Sequence, residues 1–503
     1  MDTLSRYDKL LVYAGALLFI GLNAFLMLRE FFWLPLLALV PVVLYYAFFS
    51  FSKLFFAVVF LTPLSVELTR FFTGIQFDVS IPTEPLILVI LFIAVTGWIH
   101  RGARNSSILY HPVSLAILFY LVWLLITSMV STMPMVSIKF FMVRLWFIGT
   151  FFFVAIRIFR NPRNISLFIW CYTAALALVA IYTIYNHAGH GLISQHDAHW
   201  AVRPFYNDHT AYGAALAFFI PPMFYFAFRR NSTLAMRRTA GFLLLLLLFA
   251  LVFSYSRAAW VSVAAAVGVW IVMKMRLSLS TVVTVTLLSA VMVFMLRQEI
   301  VMEMERNTQD SSADFREHIR SITNITSDAS NLERINRWDA ALGMFKEKPL
   351  FGWGPGTYMF NYAPFQYSYN RTIISTNLAD GGDAHSEYLG PLSEMGVPGL
   401  LSLLAIVFFI MLTGFRLLHT LKSSDDRLLV TAVLLSLVTY LVHGILNNFL
   451  HTDKLSVPFW GFAAIIVAID IYHRKKEQHD TEEVSVMQGS GELKAEDGDI
   501  VKD

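Results

Sequence analysis

Charge is scarce in this chain. Only 15% of its 503 residues are Asp, Glu, Lys or Arg, where a soluble globular chain carries about 25%. The formal net charge is +3, so no strong field of one sign exists to recruit nucleic acid or an acidic partner. Cysteine is almost missing. The single Cys171 lies in an apolar run, which excludes an intrachain disulfide and a cysteine-based metal site and leaves it as a small core residue. No repeat of 20–50 residues is present. Glycines do not form a nucleotide-binding fingerprint between strand and helix. No pair of Gly/Pro-broken helices recurs in matching halves, as in secondary transporters. Met1–Lys9 enters the first apolar run without a small-residue cleavage site, so that run reads as a retained helix and not a signal peptide.

What is abundant is apolar sequence, 57% of the chain, with the charges gathered in short strings between long hydrophobic runs. Hydrocarbon supplies no water to backbone amides, so runs of this length must be helices. The fold class is therefore all-α, a polytopic transmembrane bundle. Candidate spans lie near 10–28, 31–49, 54–66, 84–99, 112–130, 138–158, 165–185, 209–228, 239–256, 258–273, 279–296, 396–417, 428–447 and 456–472. That gives about 14 spans. Pro35, Pro41 and Pro63 make the second and third runs a possible bent or re-entrant pair, which would give about 12.

Basic residues fix the orientation. Arg6/Lys9, Lys53, Arg101/Arg104, Arg157/Arg160/Arg163, Arg229–Arg238, Lys274/Arg276, Arg416–Arg427 and Arg474–Lys476 fall on alternate connections. All reach one side if both termini are cytoplasmic, as the positive-inside rule requires. The other connections, 67–83, 186–208 and 297–384, are longer and rich in aromatic residues, Gly, His and Asp. The last is too long for a connector. Leu332, Ile335, Trp338, Leu342 and Phe345 recur in it at helical spacing, and Pro349 stops the run. It should form a partly helical periplasmic subdomain. Residues 477–503 are acidic and aperiodic and read as disordered. The expected organisation is 1–238 (N-terminal helices with the 186–208 loop), 239–420 (a core with the large loop), 421–473 (C-terminal helices) and a 474–503 cytoplasmic tail.

Charges at membrane depth are functional candidates because they are costly there. Arg257, in Ser254-Tyr255-Ser256-Arg257-Ala258-Ala259-Trp260, sits between two apolar runs at the periplasmic end. Its five-donor fork suits a diphosphate; a snorkelling or paired structural arginine is the bland alternative. Arg203 precedes the 209–228 helix on the same side. Lys139 and Arg144 read as one snorkelling side chain and one buried ion pair. His385 stands in Gly381-Gly382-Asp383-Ala384-His385-Ser386-Glu387-Tyr388-Leu389, at the mouth of a re-entering helix. It can take a proton from a sugar hydroxyl, with Asp383 or Glu387 orienting it or completing an acid/base pair; a helix-start cap is the alternative. Carboxylates so close should push its pKa up. Gly352, Gly354 and Gly356 permit a tight turn and close approach of a ligand or another segment. His187, His190, His196, His199 and His209 match no closed zinc motif, and we assign them no metal.

Taken in order, three motifs resemble the O-antigen ligase/polymerase superfamily. They are Ser256-Arg257-Ala258-Ala259-Trp260; Arg337-Trp338 through Ala341 and Pro349 to Gly352-Trp353-Gly354-Pro355-Gly356-Thr357-Tyr358; and Ala384-His385-Ser386-Glu387-Tyr388-Leu389 followed by Glu394-Met395-Gly396-Val397-Pro398-Gly399-Leu400. The similarity covers roughly 240–420, with Ser386 where the family usually has Asn. The resemblance implies a GT-C-like membrane glycosyltransferase of the bacterial inner membrane with a periplasmic site. Its donor would be a glycan on undecaprenyl diphosphate; its acceptor would be lipid A-core or another lipid-linked glycan. It implies no cofactor and no metal. Carried over, Arg257 and, less firmly, Arg203 hold the diphosphate, Arg337 joins the substrate-binding set, and His385 acts on the acceptor hydroxyl. Ligase, polymerase and protein-glycosylating members share this architecture, and ligase is the reading adopted; a flippase for the same lipids is the alternative of another class.

Overall fold

The computed structural model describes residues 25, 50–70, 79–101, 106–275, 329–366 and 382–473. The expected helices 31–49 and 279–296, nearly all of 10–28, residues 71–78 of the 67–83 connection, most of the 297–384 connection and the 474–503 tail lie outside the described residues. The chain divides into two compact units, Met1–Val58 and Val59–Asp503. Of the first, the described part is Phe25 and the start of helix α1 (Phe51–Leu61).

The second unit is a bundle of helices. Among the described residues, ten helices are long and apolar enough to cross a membrane. They are α2 (Thr83–Arg101), α3 (Pro112–Met129), α4 (Pro134–Ile148, prolonged by a wider turn over Gly149–Val154 and by Ala155–Ile158) and α5 (Pro162–His190). After the short α6 (Gln195–Ala201) come α7 (His209–Phe228), α8 (Leu234–Phe253) and α9 (Arg257–Lys274). Helix α10 (Ala329–Glu347) belongs to the long connection and is not a span. The last three spans are α11 (Leu389–Thr420), α12 (Ser424–Leu446) and α13 (Asp453–Ala468, continued by a wider turn over Ile469–His473). The run near 54–66 is too short to count with these, because α1 ends in a tight turn over Thr62–Leu64 that contains Pro63. Two-residue strands Val66–Glu67 and Ser80–Ile81 pair antiparallel beside it.

Local sequence fixes the helix starts. Proline occupies the first position of α3, α4 and α5, where its missing N–H costs no hydrogen bond. Asn161, Asp208, Thr233 and Ser423 cap α5, α7, α8 and α12 by accepting first-turn amides. Packing separates helices of nearly equal hydropathy. The last span is 94% buried by protein, whereas α8 is 22% buried and faces outward.

Helix α11 is broken at Gly396, whose φ of +68° is outside the helical range. The Pro349–Gly356 segment fills the break. Trp353 N–H donates to Ser393 O at 3.1 Å, Gly354 N–H to Glu394 O at 2.8 Å, and Val397 N–H to Pro349 O at 2.9 Å. Gly352, Gly354 and Gly396 all have positive φ; a Cβ on Gly352 or Gly396 would overlap the partner segment, and one on Gly354 would overlap Ser131 between α3 and α4. The close approach expected of these glycines is therefore to another part of the chain. Trp353 Nε1–H also donates to Met344 O at 2.9 Å, tying the segment to the end of α10.

Candidate active site

The loops at one end of the bundle enclose a cavity of about 1220 Å³. Its apolar wall is the start of α4, with Met135, Val136, Ile138, Phe140 and Val143; its polar wall carries Glu67, Glu84, Asp453 and Lys454. Asp208, Arg337, Asp383 and His385 also line it. The basic strings at 157–163, 229–238 and 416–427 belong to the connections at the other end of the same helices.

His385 lies just ahead of α11. Its φ of +45° is left-handed, and with Tyr255 (φ +51°) it is one of two non-glycine residues so placed among the described residues. Such backbone persists only when its surroundings hold it, and it gathers at functional sites. Asp383 supplies the hold: Oδ1 accepts the His385 backbone N–H at 2.9 Å and faces ring Nδ1 at 3.1 Å. The pairing selects the tautomer with hydrogen on Nδ1 and leaves Nε2 an acceptor. About a third of the His385 side chain is exposed, so the ring can be reached from the cavity. The Asn448 amide nitrogen, in the orientation that satisfies both partners, donates to Asp383 Oδ2 at 2.7 Å. Ser386 takes up the local bonding its identity left open: its hydroxyl accepts the Tyr388 and Leu389 amides, each at 3.3 Å.

Arg337 acts as a brace. Its Nε–H donates to Glu333 at 2.9 Å and its Nη1–H to Asp383 O at 3.0 Å, and its guanidinium so crowds Gly382 that a Cβ there would overlap it. Although it lines the cavity, one of these donors is spent on Glu333 of the same helix and the other on the Asp383 loop. Arg334, one turn earlier on α10, was not among the sequence candidates. It lies within electrostatic reach of Asp208, Asp383, His385 and Arg257. The i,i+3 spacing of Arg334 and Arg337 is the signal that could have found it. Burial pushes its pKa below the usual arginine range, opposed by Asp208 and Asp383. Arg257 opens α9 after Ser256 and the left-handed Tyr255, whose hydroxyl donates to Ile193 O at 3.1 Å. Arg257 and Arg334 are within electrostatic reach of each other and disfavour each other's charge, an arrangement suited to an anion carrying more than one charge, although neither is on the cavity wall.

Several expectations change. Glu387 does not face His385. It is buried on the bundle side, accepting Tyr440 O–H at 2.5 Å and Leu450 N–H at 2.8 Å. The pKa of His385 is lowered, not raised. Burial dominates, and Arg337 and Arg334 add to it against the opposing charges of Asp383 and Asp208. Arg203 is not on the cavity wall; its guanidinium lies over the Trp200 ring, 4.0 Å from the centroid. Arg144 is buried, but it donates to Leu450 O at 2.5 Å where an ion pair was expected. Lys139 is exposed on the cavity rim. Among the histidines, His187 Nε2 meets Ser194 O at 2.8 Å, His190 Nδ1 meets Asn186 O at 3.0 Å, and the rings of His199 and His209 stack 3.9 Å apart. Among the described residues no three His, Cys, Asp or Glu side chains are grouped to hold a metal.

Residues 242–404 match the family model described as O-antigen ligase. No curated protein matches the chain. The matched segment begins in α8, takes in Arg257, Arg334, Arg337 and the glycine segment that fills the α11 break, and ends beyond His385 inside α11. Over that segment, less than half of the chain, this multi-pass membrane protein is similar to the O-antigen ligase family.

Proposed function

We propose that the protein transfers a glycan from undecaprenyl diphosphate to an acceptor hydroxyl at the periplasmic face of the bacterial inner membrane, as a ligase with lipid A-core as acceptor. The observation that carries this is His385, reachable from the cavity and held by Asp383 with its acceptor nitrogen free, beside the Arg257–Arg334 pair. The acceptor hydroxyl attacks the anomeric carbon and gives its proton to His385 Nε2. The bond from that carbon to the diphosphate oxygen breaks, and the leaving lipid diphosphate takes the electron pair. Arg257 and Arg334 stabilise the charge that develops there. The donor carries its own leaving group, so no nucleotide is consumed. The apolar α4 wall suits a lipid chain and the opposite wall suits hydroxyl-rich sugar.

The test is transfer by purified protein in proteoliposomes with a defined lipid-linked donor. His385→Ala should lower the rate by about 10²–10⁴-fold while leaving donor binding in place, and EDTA should leave the wild-type rate unchanged. A comparable rate in His385→Ala, or activity lost to EDTA and restored by zinc, refutes this chemistry. Single repeats accumulating on deletion, with lipid-linked polymer absent, would assign the polymerase reaction instead.

A further inference from the structure

One imidazole deep in the bundle has no part in the chemistry above. His443, near the end of α12, is 1% exposed. Its Nε2 accepts from the Asn447 amide at 3.2 Å, so hydrogen is carried on Nδ1. No hydrogen bond of normal distance and angle forms at that Nδ1, which faces the Ala258 backbone. A buried donor left unmade costs about 1–3 kcal/mol. A second such group stands at the neighbouring helix start. Ser256 is the residue at which a cap for α9 is expected, yet its hydroxyl caps no amide and, 1% exposed, bonds to nothing. Two buried unpartnered donors therefore lie at the amino end of the 18-residue helix that begins with Arg257. Arg334 is within electrostatic reach of both His443 and Arg257.

We propose that His443 Nδ1–H and Ser256 Oγ–H, with the amino end of α9, complete a phosphate cradle around Arg257 and Arg334 and contact the diphosphate of the donor. The cradle rests on the proposed function for the identity of its ligand. Neutral donors place the anion without adding charge to two guanidiniums that already repel, and the helix dipole favours the same sign. His443 transfers no proton. It donates a hydrogen bond to oxygens that gain charge as the glycosidic carbon–oxygen bond breaks.

The experiment measures binding of inorganic pyrophosphate to the purified full-length protein, alongside glycan transfer. Asparagine places its amide nitrogen near the position of Nδ1, and glutamine near that of Nε2. His443→Gln should weaken pyrophosphate about 10- to 100-fold, the worth of a hydrogen bond to a charged group; His443→Asn should stay within about threefold of wild type. Ser256→Ala removes no hydrogen bond within the protein and should also weaken binding. Wild-type affinity in both His443→Gln and Ser256→Ala overturns the proposal, as does equal loss in His443→Asn and His443→Gln, which would make the ring a packing element. Transfer without measurable pyrophosphate binding defeats the cradle and leaves the function standing. His443-dependent binding with no transfer does the reverse.

Discussion

The acid limb of the pH–rate profile follows from how His385 is surrounded. As a general base it works only unprotonated, so the rate rises with pH through its folded-state pKa. Burial, Arg337 and Arg334 lower that pKa from the ordinary 6.5, and Asp383 and Asp208 raise it without reversing the direction. A depressed pKa puts the limb below 6.5, and the rate is level across neutral pH. Arg334→Gln removes a charge that disfavours the imidazolium, so the limb moves up. Asp383→Asn removes the opposing charge, so the limb moves down. In that variant the level rate also falls, because the ring loses the carboxylate that sets its tautomer and its left-handed backbone loses a charge-assisted bond at 2.9 Å. The general-base contribution bounds that fall at about 10²–10⁴-fold. The assay is initial transfer rate in proteoliposomes from pH 5 to 8, at saturating donor so that binding does not enter. A wild-type limb above 6.5, or one that Asp383→Asn moves upward, would refute the reasoning by showing that carboxylates and not burial govern the ring.

Glu387→Ala should act on stability and leave the acid limb where it is. It strips the acceptor from Tyr440 O–H and Leu450 N–H, about 1–3 kcal/mol for each buried donor left unmade, read as a lower unfolding midpoint in detergent; a shifted limb at unchanged stability would contradict this placement. Gly354→Ala should abolish folded yield or lower the midpoint sharply. Its φ of +113° and the overlap of a Cβ with Ser131 leave no relaxed conformation, so a normally folded variant would mean that the glycine segment does not pack against Ser131 as placed. In a Cys171→Ala background, Lys346→Cys on α10 should react with an impermeant thiol reagent from the periplasmic side and Asn231→Cys, between α7 and α8, from the cytoplasmic side. Labelling of both from one side would overturn the assignment of the cavity to the periplasmic face.

The fold class was determined by sequence alone, because a bilayer leaves an apolar run of some 20 residues no option but a helix. Ten of the expected spans are present with shifted ends, and helix α10 stands where Leu332, Ile335 and Trp338 recur. His385 and Arg257 could be proposed from sequence, since charge and imidazole are rare enough at membrane depth to stand out. Spacing could not say what each side chain faces. Glu387 is two residues from His385, yet a left-handed backbone at His385 and the bond from Glu387 N–H to Gly444 O at 2.8 Å turn it into the bundle. Spacing to Arg337 could have raised Arg334 as a candidate, but Asn448 comes from a loop far from His385 in the chain, so no local pattern could join it to the ring. The direction of the His385 pKa depended on the same thing. Sequence counts the carboxylates nearby, but desolvation and the approach of Arg334 and Arg337 exist only once α10 is packed beside the loop that leads into α11.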